Sequence, residues 1–300
     1  MRFTFWPSPN HPFDVVLDLA RHVEATGWDG MVYADHFMPD GPQNGGPWLE
    51  AWTTVTALLA SVPRIRIGPL VTGNTYRHPA VLAKMAATVD RMSGGRLVLG
   101  LGAGWQENEH RAYGIPFPSL RERLERLEEA CQVLKSLFTE ERASFEGRYY
   151  QLADAPLEPK PLQDPLPLLV GGGGEKVTLR IAARFADEWN VWGDVPTLQH
   201  KMSVLDRHCR EVGRDPAEIK RSAVALLFLS DDRGFIENIR QKIRGRPLIA
   251  GDVAEVRATI EAYAEAGVDE IIVPDFTFGG AEKARPILDT FIQKVAEGLH

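Results

Sequence analysis

Two glycine runs carry the clearest chemical potential in this 300-residue chain, Gly100-Leu101-Gly102-Ala103-Gly104-Trp105 and Gly171-Gly172-Gly173-Gly174-Glu175. Each follows a short apolar segment and leads toward a helix-like one. Glycine in such a turn lets main-chain N–H groups approach a ligand without an intervening Cβ, and the helix N-terminus that follows attracts negative charge. Together the runs point to a phosphate-bearing cofactor, against a plainer reading in which both are only tight strand-to-helix turns. The first has the form G-x-G-x-G and no acidic residue at ribose distance, which argues against a Rossmann dinucleotide site. The second lacks the spacer and Lys-Ser/Thr pair of a P-loop, which argues against nucleotide hydrolysis. What remains is a phosphate held by amides at the start of the helix beginning near Glu175, with Lys176, Arg180 and Arg184 as nearby cations that are either recruited or simply solvated.

A second constellation is Asp35-His36 at the end of an apolar run. An imidazole beside a carboxylate suits proton transfer or contact with a cofactor, whereas a lone histidine is commonly a hydrogen-bonded structural residue. The remaining histidines, at 11, 22, 78, 110, 200, 208 and 300, form no H-x-H or H-x-x-x-H pair, so no metal site is expected. Asp35, Glu107 and Asp275 supply carboxylates for a glycosidase, a weaker competitor. Trp105 and Trp192, together with Phe5 or Trp6, would line a substrate pocket for a flat ring system, unless each is rim packing.

These residues need a scaffold that brings strand ends together. Strand-like and helix-like segments alternate: 2–6 and 12–26, 30–34 and 48–61, 64–72 and 79–92, 96–101 and 119–138, 168–171 and 176–185, 188–193 and 197–212. Then come 222–229 with helical segments 235–243 and 253–266, and 270–274 closed by 283–297. Val15, Val16, Leu19, Ala20 and Val23 show the helical spacing, Pro79 suits a first helical turn, and Ser119 followed by Glu122 reads as a capping box. Prolines at 156, 159, 161, 165 and 167 exclude central strands between 143 and 167, which is expected to be an excursion with a short hairpin around 145–152. Eight β-then-α units with right-handed crossovers predict an α/β fold, a closed (β/α)8 TIM barrel forming a single domain over 1–300, with an open doubly wound sheet as the runner-up. In a barrel the chemistry belongs at the C-terminal strand ends, where Asp35-His36, Val71-Thr72-Gly73-Asn74, both glycine runs and Trp192 would fall.

Composition narrows the function further. Apolar residues make up 44% and charged residues 25%, as in ordinary globular proteins. A net charge of −7 without a basic run argues against nucleic-acid binding. Cys131 and Cys209 suggest neither a disulfide framework nor a zinc site, and no apolar stretch approaches a membrane span, so a cytoplasmic, soluble chain is expected.

Five stretches carry a wider likeness: Tyr33-Ala34-Asp35-His36-Phe37; Ile67 to Thr72 running on to Arg77-His78-Pro79-Ala80-Val81; Gly94 to Trp105 with Asn108-Glu109-His110; Gly147-Arg148-Tyr149-Tyr150 with Pro159-Lys160-Pro161; and Leu168 to Gly174. In this order the chain resembles the luciferase-like monooxygenase superfamily, specifically its coenzyme F420-dependent oxidoreductase branch. The resemblance implies a barrel with an excursion before strand five and a deazaflavin or flavin across its mouth. It also implies a strand-three bulge, with a non-prolyl cis peptide at Leu70-Val71 or Val71-Thr72. The implied cofactor shell draws on Asp35, His36, Leu70, Val71, Thr72, Asn74, Gly104, Trp105, Asn108 and the 172–175 turn; His36 would face the ring and act in proton transfer. F420 is the implied cofactor and FMN the alternative, which would make the chain a flavin-dependent monooxygenase. A homodimer acting on a small molecule is implied as well. In the sugar-phosphate-oxidising branch an acid follows the strand-four glycines and a tryptophan lies four residues beyond the strand-two histidine. Trp105 and Asp40 stand at those places here, which points away from glucose-6-phosphate and leaves the substrate open. A flavin-binding protein without turnover is a further reading from a different class.

Overall fold

The computed structural model describes residues 1–41 and 47–299, so His300 lies outside the described residues. The chain opens with β1 (Arg2–Trp6), α1 (Phe13–Thr26), β2 (Gly30–Tyr33) and α2 (Ala51–Ser61), then β3 (Arg66–Pro69), β4 (Thr72–Gly73) and α3 (Pro79–Ser93). It continues through β5 (Leu99–Gly102), α4 (Glu107–Tyr113) and α5 (Leu120–Thr139) to a hairpin of β6 (Arg142–Glu146) and β7 (Gln151–Pro156). The second half holds β8 (Leu168–Gly171), α6 (Thr178–Phe185), β9 (Glu188–Trp192), α7 (Val195–Glu211), β10 (Lys220–Val224), β11 (Leu226–Leu229) and α8 (Arg233–Lys242). It ends with β12 (Leu248–Gly251), α9 (Val253–Glu265), β13 (Glu270–Pro274) and α10 (Ala281–Thr290), which runs into a π-helical turn over Phe291–Val295.

One parallel sheet runs in the order β3-β2-β1-β13-β10-β9-β8-β5-β4. Its two ends, β3 and β4, are consecutive pieces of one strand, and an Ile67–Leu97 bridge ties that strand to the segment entering β5. The sheet therefore closes on itself with eight staves, the predicted barrel. Helices wrap it because each presents an apolar stripe: α1 buries Val16, Leu19, Ala20 and Val23. At α5 the Ser119 hydroxyl accepts from the Glu122 N–H at 3.3 Å, while the Glu122 side chain pairs with Arg126, so half of the expected capping box forms. The reciprocal box closes instead at α9, between Asp252 and Glu255. No helix among the described residues is long and apolar enough to cross a membrane.

The 143–167 excursion carries the expected hairpin, with Phe145 opposite Leu152. Two parts differ from expectation. The short helix α4 follows the first glycine run, where only a connection was expected. The single strand expected over 222–229 is two: β10 is a stave, and β11 leaves the barrel to pair in parallel with β12, forming a small βαβ unit with α8 on the rim.

Candidate active site

Alternation along the staves decides what faces the barrel axis. Trp6, Val32, Ala34, Leu70, Val98, Leu169, Val224 and Ile272 pack together inside it. Phe5 points the other way, because successive side chains on a strand take opposite faces. It is fully buried against Trp28 in the helical layer, so of the two aromatics expected at the pocket only Trp6 lies on the inner side. At the N-terminal end of the barrel the buried Glu188 and Glu270 carboxylates, paired with the half-buried Arg2 and Arg66 and joined by the Thr4 hydroxyl, plug the axis. The opposite end is left for a ligand.

The strand-three bulge lies where β3 gives way to β4, and the Leu70-Val71 peptide is cis. Val71 leans over its neighbours. A Cβ added to Gly102 would lie 2.6 Å from Val71 Cγ2, and one added to Gly171 would lie 2.8 Å from Val71 Cγ1. At Gly100 it would meet the Pro69 carbonyl oxygen at 2.1 Å. Three of the seven glycines in the two runs, Gly100, Gly102 and Gly171, thus let staves pass close to the bulge. Leu70 lines the barrel interior beside it. Thr72 is fully buried and accepts from the Trp52 indole N–H at 3.0 Å, turned toward α2. Asn74 donates to the Tyr150 hydroxyl at 3.3 Å, and its Oδ1 is buried without a partner.

His36 sits at the end of the second stave with its Nδ1 2.8 Å from Glu109 Oε1. The same carboxylate accepts from the Phe37 N–H at 2.7 Å and from the Tyr76 hydroxyl. Glu109 is fully buried; burial alone would raise its pKa, but the hydrogen bonds from His36, Tyr76 and Phe37 outweigh it and hold the carboxyl below its usual range. Tyr76 shifts upward, through burial first and then its bond to Glu109, so it keeps its proton. An ionised carboxylate only accepts, so in the neutral imidazole the His36 proton sits on Nδ1 and Nε2 carries the lone pair. Asn108 shapes the same corner: its amide donates to the Pro39 carbonyl at 3.0 Å and its Oδ1 accepts from the Glu109 N–H at 2.9 Å. Asp35 serves a different purpose. Its buried carboxylate grips Arg77 through two nitrogens and accepts from the Gly73 N–H at 3.1 Å, bracing the bulge from behind.

At the second glycine run the chain turns through Gly172, in the left-handed region at φ +128°, before α6 starts at Thr178. No side chain caps this helix, and among the described residues no acceptor meets the N–H groups of Gly174, Glu175, Lys176, Val177 or Thr178. Lys201 donates to the Gly173 carbonyl at 2.8 Å and to the Glu175 carboxylate at 2.7 Å, holding Glu175 below the usual carboxylate range. Arg180 and Arg184 are both spent on Glu128 of α5, so Lys176 is the one expected cation left without a partner among the described residues. Five free amides over an uncapped helix start fit an anionic group such as the cofactor phosphate.

Aromatic rings frame the opening. Trp105 is 59% exposed and stands edge-on to His36 with ring centroids 5.3 Å apart. Gly104, which precedes it, gives its carbonyl to Arg123. Trp192 lies 6.0 Å from Trp6, which in turn meets Phe276 at 5.2 Å, and Trp6 Nε1 is buried without an acceptor. Glu109, Tyr76 and Lys201 were not singled out by sequence reasoning. Only the Asn108-Glu109-His110 run hinted at the first of them.

The profile of the luciferase-like monooxygenases matches residues 1–238. An F420-dependent glucose-6-phosphate dehydrogenase of Amycolatopsis mediterranei is 36% identical over 303 aligned positions, covering 87% of this chain and 88% of its own. Its counterpart from Kineococcus radiotolerans is 31% identical over 291, covering 85% of each. An F420-dependent secondary alcohol dehydrogenase solved with an F420–acetone adduct shares the fold, with a TM-score of 0.84 at 23% identity over 98% of both chains.

Proposed function

The chain belongs to the luciferase-like monooxygenase family, and we propose that it is an oxidoreductase that moves a hydride between coenzyme F420 and a small organic substrate. The observation that carries the reading is the His36–Glu109 pair at the mouth of the barrel, opposite a turn with unused amides. The two long curated relatives, both F420-dependent, support this cofactor over FMN.

The residues present fit such a group. The 172–175 turn and the start of α6 would hold the phosphate, and Val71 on the bulge would back the ring, with Trp105 on the rim. When bound, F420 supplies hydride transfer at its deazaflavin ring. His36 Nε2 accepts the proton that the substrate releases, or returns it in the reverse direction. Glu109 stabilises the imidazolium so formed, and Tyr76 keeps Glu109 ionised and fixed. Trp6 and Trp192 exclude water from the substrate side.

The test is a single-turnover assay, following the loss of F420 absorbance anaerobically with a panel of alcohols, aldehydes and organic acids. Turnover abolished in His36→Ala with F420 binding retained supports the reading; an unchanged rate removes His36. A flavin-dependent monooxygenase is the second reading, favoured by the family's own description. Oxygen consumption with reduced FMN, and none with F420, would select it. The reading also takes the chain as cytoplasmic and as a homodimer; sedimentation of the purified protein tests the dimer, and fractionation of the cells that make it tests the location.

A further inference from the structure

The βαβ unit on the rim holds a second feature. In a chain of net charge −7, the stretch from Ile239 to Pro247 carries four cations and no acid. Arg240 is engaged, donating to the Ala250 carbonyl at 2.8 Å and lying 3.7 Å from Glu255. Lys242, Arg244 and Arg246 have no ion-pair or hydrogen-bond partner among the described residues, and all three line a cavity of about 380 Å³ with Leu226, Phe276 and Thr277. The cavity adjoins the site. Leu226 opens β11 two residues past the end of stave β10 and donates its N–H to the Pro247 carbonyl at 3.0 Å, while Thr277, just past β13, donates to the Leu227 carbonyl at 2.7 Å. Phe276 forms its inner wall and meets Trp6 edge-on, and Trp6 continues to Trp192.

Three unpaired cations at one end and an aromatic row at the other describe an amphipathic ligand. We propose that this cavity binds the acidic group of the substrate, an organic anion whose apolar body lies along Phe276, Trp6 and Trp192 toward His36. The proposal rests on the barrel mouth being the site of hydride transfer and adds the substrate class. A strongly hydroxylated body suits this row poorly, since its walls are apolar and their polar groups are two indole N–H donors, that of Trp6 buried and unpartnered. The cations are exposed, so each adds modestly and the sum is sensitive to salt.

Calorimetric titration of the full-length protein without cofactor tests this, using naphthalene-2-carboxylate against naphthalene-2-carboxamide, which shares the body and lacks the charge. The expected result at low salt is about tenfold tighter binding of the carboxylate, a ratio that collapses in K242A/R244A/R246A while Phe276→Ala weakens both probes alike. Equal affinity for the two probes, or a ratio that persists in the triple variant, overturns the proposal. Should the triple variant fail to fold, salt dependence on the native protein decides: the ratio falls toward one in high salt if the cations create it, and a salt-independent ratio overturns it. No F420 is present in this titration, so its failure leaves the cofactor reading intact, and failure of F420 binding leaves the anion site intact.

Discussion

The His36 imidazole and the Glu109 carboxylate, 73 residues apart in sequence, meet at 2.8 Å through Nδ1 and Oε1. Their contact fixes the tautomer that frees Nε2, and Tyr76 and the Phe37 N–H complete the carboxylate's shell. Replacing Glu109 by Gln keeps the shape but removes the charge and puts an amide NH2 against donors. Turnover is expected to fall about 10–100-fold with little change in F420 affinity, and His36→Ala to fall about 10²–10⁴-fold, in single-turnover kinetics. Equal loss of cofactor affinity in both variants would assign them to binding instead.

The same carboxylate sets an acid limit. Its pKa is lower folded than unfolded, so its contribution to stability is fully present above the ordinary carboxylate range and is lost as pH falls through the depressed folded value. Thermal melting against pH should therefore show native stability dropping toward acid more steeply than that of Glu109→Gln. Parallel curves for the two proteins would contradict the clamp.

Val71 and the glycines beneath it make a steric prediction. Gly102→Ala places a methyl 2.6 Å from Val71 Cγ2 and is expected to destabilise by about 1–3 kcal/mol in urea unfolding. Val71→Ala should recover part of that loss in the double variant, because the offending methyl is gone. Additive losses would show that the glycine serves something other than the bulge.

Gly172 tests the anion turn separately. Its φ of +128° is one that L side chains rarely adopt, so Gly172→Ala should twist the 172–175 turn and weaken F420 about tenfold, while turnover of bound cofactor stays near native. A selective loss of turnover would place the turn at the reaction centre rather than at the phosphate.

Neither cysteine should react in the native state. Cys131 is fully buried and its thiol is pushed up to about 12 by burial, and burial likewise raises Cys209. Titration with a thiol-reactive dye is expected to find both only after unfolding in guanidinium.

Much of this architecture was legible in the sequence because eight apolar runs each precede a helical stripe, a repeat that few folds share. The break of the expected 222–229 strand into β10 and β11 is invisible in the sequence for a physical reason. Ala223-Val224-Ala225-Leu226-Leu227-Phe228-Leu229 is apolar throughout, and nothing in it marks where the chain leaves the barrel. Phe5 was placed at the pocket beside Trp6 because parallel staves are buried on both faces, so hydrophobicity does not say which face is inner. Spacing could not reveal the Glu109 contact either, since it joins the segment after β2 to helix α4 through space. The glycine runs serve two purposes: Gly102 and Gly171 make room for Val71, and the 172–175 turn is the proposed phosphate site.

A deazaflavin at this mouth should show in a parallel titration of the purified protein with F420 and FMN, read by tryptophan fluorescence with Trp105 and Trp192 at the rim. Saturable quenching by F420 in the micromolar range is expected, weakened by Gly172→Ala, with FMN much weaker. Preferential binding of FMN, or binding of neither, would contradict it.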